Sequence, residues 1–560
     1  MKNKLKIGII INSYLIPSWS FKMLEEIEAN TGSEIVLIVN KKSENIEKKN
    51  LLTKIIENRK QVLYILYKKL DWKIFSCNPN ALDSKDIRNI QSINSLKTID
   101  ILDQFDENNI KRINDSQIDI FIDLGFKNLP GDILKTTRLG IWSIKLGDKK
   151  ASNNGPKGIW EIIKNKNETK ATLQILNGNL DKTFQLTRSY SATHNHSLNK
   201  SINSFYGKAL YFIPSKIQEL SVLGEELFFQ KIAKSNQQLQ FYSNKQNTTP
   251  TNIEMIFFGV KTLFRTIKNK IEKTFFYNQW ILLFRMSSSR SISKAFYQYK
   301  KIIPPKDRFW ADPHIIQRND KYYIFLEELI YQENKGHISM MEMDDDGNWT
   351  KPVIVLKEDF HLSYPFLIED NGVLYMIPES ENNNSIRLYK CVNFPLEWSL
   401  EKILIDNIVA ADTTILLKNR KYWMFANVSK LNGTSNIEEL HLFSSDHLVS
   451  DNWTSHPQNP IVADVKQSRP AGKFFTYKDK LYRPSQNCSK HYGYGMKINE
   501  VVELNEKEYQ EKVVDSIFPD WDKKIVSTHT INSVGRLTII DAQMKRRRYF
   551  RRNDHKEYYH

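Results

Sequence analysis

Over the first 145 residues, short apolar runs rich in β-branched side chains alternate with amphipathic stretches. Residues 6–12, 34–40 and 119–124 read as continuously apolar strands, whereas 20–29 and 49–70 carry apolar positions at helical spacing. Strands that are apolar throughout belong to a parallel sheet covered on both faces, so the pattern predicts an α/β domain. Further on, in 252–276, Ile256, Val260, Leu263, Ile267 and Ile271 recur every three or four residues between Lys261, Arg265, Lys268, Lys270 and Lys273. This is a basic amphipathic helix, suited either to packing on a neighbouring domain or to lying on an anionic membrane surface.

From about 300 onward the period changes to that of strands. Five segments share one plan of polar start, apolar strand, Asn/Asp/Gly turn and aromatic strand: ADPHIIQRNDKYYIFLEE, YPFLIEDNGVLYMIPES, ADTTILLKNRKYWMFAN, SRPAGKFFTYKDKLYRPSQ and THTINSVGRLTIIDA. Asp312, Tyr364, Asp412, Arg469 and His529 hold comparable positions in them, 52, 48, 57 and 60 residues apart. A strand-rich repeat of that length is a propeller blade, and hairpin turns at Asn319–Asp320, Asn371–Gly372 and Asn419–Arg420 fit it. The expected chain is multidomain: an α/β parallel-sheet domain over 1–215, a basic helical linker over 216–276, an all-β five-bladed β-propeller over 277–545 and a basic tail over 546–560.

The innermost strands of a propeller line its axial channel, so the five repeated positions are expected to converge. Glu327, Glu328 and Glu379 close the next strands of the first two repeats. Carboxylates brought together from separate blades suit glycosidic chemistry, in which one group protonates the leaving oxygen while another activates the nucleophile. Asp312, Asp412, Glu328 and Glu379 are therefore the candidate acid/base residues. Tyr364, Arg469, His529 and Glu327 are the candidate substrate-binding residues, with Arg469 and His529 assigned to a phosphate or carboxylate. Cys77, Cys391 and Cys488 lie too far apart in sequence for a zinc set or a disulfide framework, so no metal is expected and a reducing compartment fits.

The motifs FWADP, FLEEL, YPFLIEDNGVLYMIPES, ADTTIL, SRPAG and THTIN, in this order, resemble the N-terminal domain of plant glucosamine inositolphosphorylceramide transferases and their bacterial relatives. More distantly, WADP and Asp412 resemble the five-bladed arabinanase, xylosidase and invertase glycosidases; Arg469 stands where their fourth blade carries a general-acid Glu. In the first half, IDIFIDLGFKNLPGDILKTTRLGIWSIKLGD is similar to methionyl-tRNA and sugar N-formyltransferases. That resemblance implies a formyltransferase-like fold whose catalytic Asn, His and Asp fall at Ser143, Lys145 and Asp181, a degenerate site. It implies 10-formyltetrahydrofolate as cofactor only if that domain is active; the sequence assigns no other cofactor. Together the resemblances imply a carbohydrate-active transferase of surface-glycan assembly taking an anionic sugar or nucleotide sugar. A glycoside hydrolase or phosphorylase, a folate-dependent sugar N-formyltransferase and a non-catalytic glycan- or lipid-binding scaffold remain open readings.

Composition adjusts this picture at two points. At 560 residues and 40% hydrophobic content the chain exceeds one ordinary core and is not disordered. The net charge of +17 invites an anionic partner, but the segment 545–560 alone contributes +5, with seven Lys/Arg against two Asp/Glu. No recognition fold accompanies that tail, so nucleic acid is not expected; a solvated, disordered end is the first reading and contact with an anionic membrane surface the alternative. Asn12, Ser13 and Tyr14 interrupt the N-terminal apolar run, which reads as a buried first strand and leaves the expected location cytoplasmic, with peripheral membrane contact as the variant.

Overall fold

The computed structural model describes residues 4–41, 58–101, 106–125, 131–146, 156–176, 184–237, 248–287, 293–429 and 437–548. Its contacts divide it into a first unit running to Leu263 and a second beginning at Phe264.

The first unit is built on a seven-stranded mixed sheet. In spatial order its strands are Lys97–Ile101, Glu34–Lys41, Lys6–Ile11, Ile120–Asp123, Ile141–Leu146, Glu168–Leu176 and Phe184–Ala192. The first five run parallel, Glu168–Leu176 pairs antiparallel with Ile141–Leu146, and Phe184–Ala192 pairs antiparallel with Glu168–Leu176. Ile7, Ile9, Ile10, Ile120, Phe121 and Ile122 are wholly buried, as strands covered on both faces require. Ser18–Asn30 is helical as the spacing predicts; of the helix expected over 49–70, residues 49–57 lie outside the described residues, and Val62–Ile74 is helical. One expectation is corrected. Residues 216–236 are not a linker, because the helices Phe212–Leu223 and Glu225–Asn236 bury Ile217, Leu220, Phe228 and Ile232 in the core of the sheet.

The second unit is a five-bladed β-propeller. Four antiparallel four-stranded sheets follow one another along the chain, with first strands Arg308–Arg318, Ser363–Asp370, Val409–Lys418 and Phe475–Tyr477. The fifth blade joins both ends of the unit: Leu537–Arg547 pairs with Ile531–Val534 on one side and along all 11 residues of Phe276–Met286 on the other. This closure removes an open sheet edge. The predicted hairpins are of the left-handed two-residue kind, with φ of 50° and 58° at Asn319–Asp320, 49° and 78° at Asn371–Gly372, and 55° and 60° at Asn419–Arg420.

The inner strands of the first three blades share a second device. Each pairs regularly with its neighbour, skips between Ala311 and His314, Ser363 and Phe366, or Ala411 and Thr414, and resumes. At each bulge one side chain has positive φ: Asp312 at 51°, Tyr364 at 44° and Asp412 at 50°. Such conformations cost roughly 1–3 kcal/mol each and persist only where the surroundings impose them.

Candidate functional site

The bulges turn their residues into one cluster. The guanidinium of Arg469, on the fourth blade, donates from Nε to Asp412 Oδ2 at 2.6 Å and from Nη2 to Asp412 Oδ1 at 3.1 Å. The same Nη2 donates to Glu379 Oε2 at 2.9 Å, and the Asp412 backbone N–H donates to that oxygen at 3.2 Å. Gln486 completes this side, its amide donating to Asp412 Oδ2 at 2.7 Å and to the Pro470 carbonyl at 2.9 Å. Burial raises the Glu379 carboxyl well above its usual range and Asp412 adds to the rise, with Arg469 opposing.

A second half is built from the first and fifth blades around Asp541. Its carboxylate accepts the backbone N–H groups of Asp312, His529 and Thr530 at 3.0, 2.9 and 3.0 Å. His529 Nδ1 sits 2.6 Å from Asp541 Oδ2 and Nε2 sits 3.7 Å from Asp312 Oδ1, while Thr530 Oγ1 donates to that Asp312 oxygen at 2.7 Å. Trp280 stacks on the His529 ring at 4.1 Å between centroids. Burial pushes Asp312 up to about 7, with His529 opposing and Asp412, Asp541 and Glu327 adding. For His529 burial acts downward, but Asp541 and Asp312 outweigh it and raise the imidazolium to about 9. Among the described residues, Asp312, His529 and Asp541 are spaced as a metal site would be, with ligand atoms within 4.8 Å of one another.

Tyr492 bridges the two halves. Its ring lies under the Arg469 guanidinium at 4.9 Å and edge-on to His529 at 5.4 Å, yet the residue keeps 42% of its surface exposed. Desolvation of the hydroxyl, with Asp412, Asp312 and Glu379 adding, raises its phenol well above the usual range although Arg469 opposes. It therefore stands at the mouth of an otherwise buried cluster. Two glycines permit close packing around the cluster. A Cβ on Gly472, at φ +130°, would lie 2.1 Å from the Ile531 carbonyl, and one on Gly493, at φ +63°, would meet the His529 ring at 3.0 Å.

The expected residues are thus sorted. Asp312, Asp412, Arg469, His529 and Glu379 meet; Glu327 faces the same way, with His361 Nε2 3.1 Å from its carboxylate. Arg469 is not a free anion receptor, since two carboxylates already hold it. Tyr364 is 0% exposed and its hydroxyl is engaged, accepting from the Gly472 N–H at 2.8 Å and lying 2.9 Å from Thr414 Oγ1, so it ties blades together rather than facing a ligand. Glu328 leaves the cluster entirely, because adjacent strand residues face opposite sides. It accepts from Arg308, Trp310 and Ser339 at 3.0, 3.1 and 2.7 Å, with His337 Nε2 at 3.3 Å, and these partners outweigh burial to hold it near 2. Asp541, Gln486, Tyr492 and Trp280 were not among the expected residues; Asp541 and Gln486 lie within the fifth and fourth repeat segments, on the strand after the positions compared.

Residues 300–543 match the family model described as glucosamine inositolphosphorylceramide transferase 1, N-terminal. That stretch holds every residue of the cluster except Trp280. The chain is 34% identical over 210 residues to glucosamine inositolphosphorylceramide transferase 1 of Oryza sativa subsp. japonica, covering 37% of this chain and 28% of that protein. With the protein of that name from Arabidopsis thaliana it is 32% identical over 206 residues, 36% of this chain and 27% of the relative. The chain therefore spans under a third of the length of these relatives. Among solved structures, a family 117 glycoside hydrolase from Zobellia galactanivorans is similar at 11% identity and TM-score 0.32, covering 48% of this chain and 90% of that one. The RS223 β-xylosidase is similar at 13% identity and TM-score 0.30, covering 42% and 92%.

In the first unit, Ser143 and Lys145 share one face of Ile141–Leu146, and Ser143 Oγ donates to Asp123 Oδ2 at 3.2 Å on the adjacent strand. Burial pushes the Lys145 ammonium down, with Asp123 opposing and Lys157 assisting. Asp181 lies outside the described residues.

Proposed function

We propose that the propeller cluster is a glycosyl-transfer site in which Asp312 and Glu379 exchange protons with a sugar held at the channel mouth under Tyr492. The observation that carries this reading is the pair of buried carboxyls raised from their usual range, Asp312 to about 7 and Glu379 by burial and the neighbouring Asp412, beside an Asp412 already clasped by Arg469. A carboxyl that stays protonated near neutrality can donate to a leaving oxygen, and one poised near 7 can accept a proton from an attacking hydroxyl. Asp412 and Arg469 set the position and field of this pair. The mutual pairing of Arg469 favours sugar hydroxyls over an anionic group as the part that enters the cluster. The family match over 300–543 supports a sugar or glycolipid substrate.

Incubation of the full chain with a panel of nucleotide sugars and acceptors, read by mass spectrometry, tests this. A glycosylated acceptor, lost in Asp312→Asn, is the expected result; binding without product, unchanged by that substitution, would make the propeller a glycan-binding module. For the first unit we propose a formyltransferase-like fold with an altered site at Ser143 and Lys145, supported by the motif resemblance and by the shared face of these two residues with Asp123. A thermal shift on adding a folate cofactor, abolished by Lys145→Ala, is the expected sign of a retained pocket; absence of any shift argues against it.

A further inference from the structure

The helix Asn252–Phe275 is turned with its apolar side outward. Met255 and Phe258, on one side, are buried with Tyr64, Ile159, Ile162, Leu198 and Ile202 of the first unit. On the other side Ile253, Phe257, Val260, Phe264, Ile267 and Ile271 are all exposed, Phe257 by 72% and Phe264 by 69%. Spaced four, three, four, three and four residues apart, these six fall within about 80° of the helix circumference. At the same angular reckoning Lys261 and Lys268 flank the stripe on one side and Lys270 on the other. The adjacent helix Val62–Ile74 is joined to this one by Asn252, whose side chain accepts from the Leu63 N–H at 3.0 Å, and by the edge-on contact of Tyr67 with Phe258. It leaves Leu66, Leu70 and Ile74 exposed and carries Lys68, Lys69 and Lys73.

We propose that this stripe seats the protein on an anionic lipid bilayer, the helix lying in the interface with its apolar side among the acyl chains. Its 24 residues make a rod about 36 Å long. No described helix is long and apolar enough to cross a membrane. An apolar face with lysines along both margins is the arrangement that combines acyl burial with attraction to anionic headgroups. A second copy of the chain is the poorer occupant, because self-complementary pairing would set the flanking lysines of one copy against those of the other. This attachment does not depend on the chemistry proposed for the propeller, and it would bring that unit to lipid-linked substrates.

Flotation of the full chain with vesicles tests it. Vesicles of phosphatidylcholine containing phosphatidylglycerol are expected to bind at least about tenfold more tightly than phosphatidylcholine alone, and less tightly at high salt. Phe257→Gln with Phe264→Gln keeps good helix formers at exposed positions, so circular dichroism and melting stay unchanged while vesicle binding is lost. Lys268→Gln with Lys270→Gln is expected to remove the preference for anionic lipid and leave the weaker neutral binding. Equal flotation of wild type and the Phe257/Phe264 variant would overturn the proposal. So would the absence of vesicle binding together with a dimer that this variant dissolves, which would make the stripe a protein interface.

Discussion

Arg469 and Asp412 form a two-pronged ion pair across the third and fourth blades, with contacts of 2.6 and 3.1 Å. Both side chains are almost wholly buried, and Glu379 shares the same guanidinium. The pair fixes the orientation of Asp412 at its strained bulge, and it explains why an arginine can occupy the centre of a carboxylate cluster.

Arg469→Met removes the guanidinium and leaves Asp412 and Glu379 buried without its charge. Breaking a buried pair this way is expected to cost about 3–5 kcal/mol. Urea unfolding followed on the second unit's transition measures it; an unchanged midpoint would mean that the pair contributes nothing to the channel wall.

The His529 imidazolium, raised to about 9, makes stability fall with rising pH. The folded state holds this proton above pH 6.5 where the unfolded chain releases it, so the stabilisation is complete below about 6.5 and is lost through about 9. The difference amounts to about 3 kcal/mol. Asp312, raised to about 7, acts with the same sign in the earlier window from about 4 to 7. Denaturation of wild type and His529→Gln at the two ends of the alkaline window is expected to show a drop in the former that the latter lacks.

Tyr364→Phe removes the acceptor of the Gly472 N–H and a partner of Thr414 deep in the wall. A loss of about 1–3 kcal/mol is expected with sugar affinity unchanged. A selective loss of affinity at unchanged stability would return Tyr364 to the ligand.

The blades were legible because their period is carried by residue types that strands and two-residue turns demand. The phase of Asp312, Tyr364 and Asp412 was legible for the same reason, since all three sit on one recurring bulge. Glu327 and Glu328 could not be separated, because which of two adjacent strand residues faces the channel depends on the bulge-shifted register that sets Ala311 against Glu327 and Trp310 against Glu328. Arg469 meets the expected cluster, and its pairing with Asp412 and Glu379 is a contact that a sequence does not show. Tyr492 and Trp280 come from a loop and from a strand more than 200 residues before His529, contacts that only chain closure creates. Residues 216–236 looked like a linker because their charged and polar residues mask the apolar side that Ile217, Leu220, Phe228 and Ile232 bury.

Glu328→Gln separates structure from chemistry on the first blade. Its carboxylate is held by Arg308, Trp310 and Ser339 outside the cluster, so the substitution is expected to lower stability by about 1–3 kcal/mol and leave sugar transfer intact. Lost transfer at unchanged stability would place Glu328 in the reaction instead.

The most direct measurement is the initial rate of glycosyl transfer by Glu379→Gln beside that of Glu328→Gln, each corrected for folded protein. Removal of the proton donor is expected to lower the rate at least about a hundredfold in Glu379→Gln, with Glu328→Gln near wild type. Equal rates in Glu379→Gln and wild type would contradict the assignment of the channel carboxyls to proton transfer.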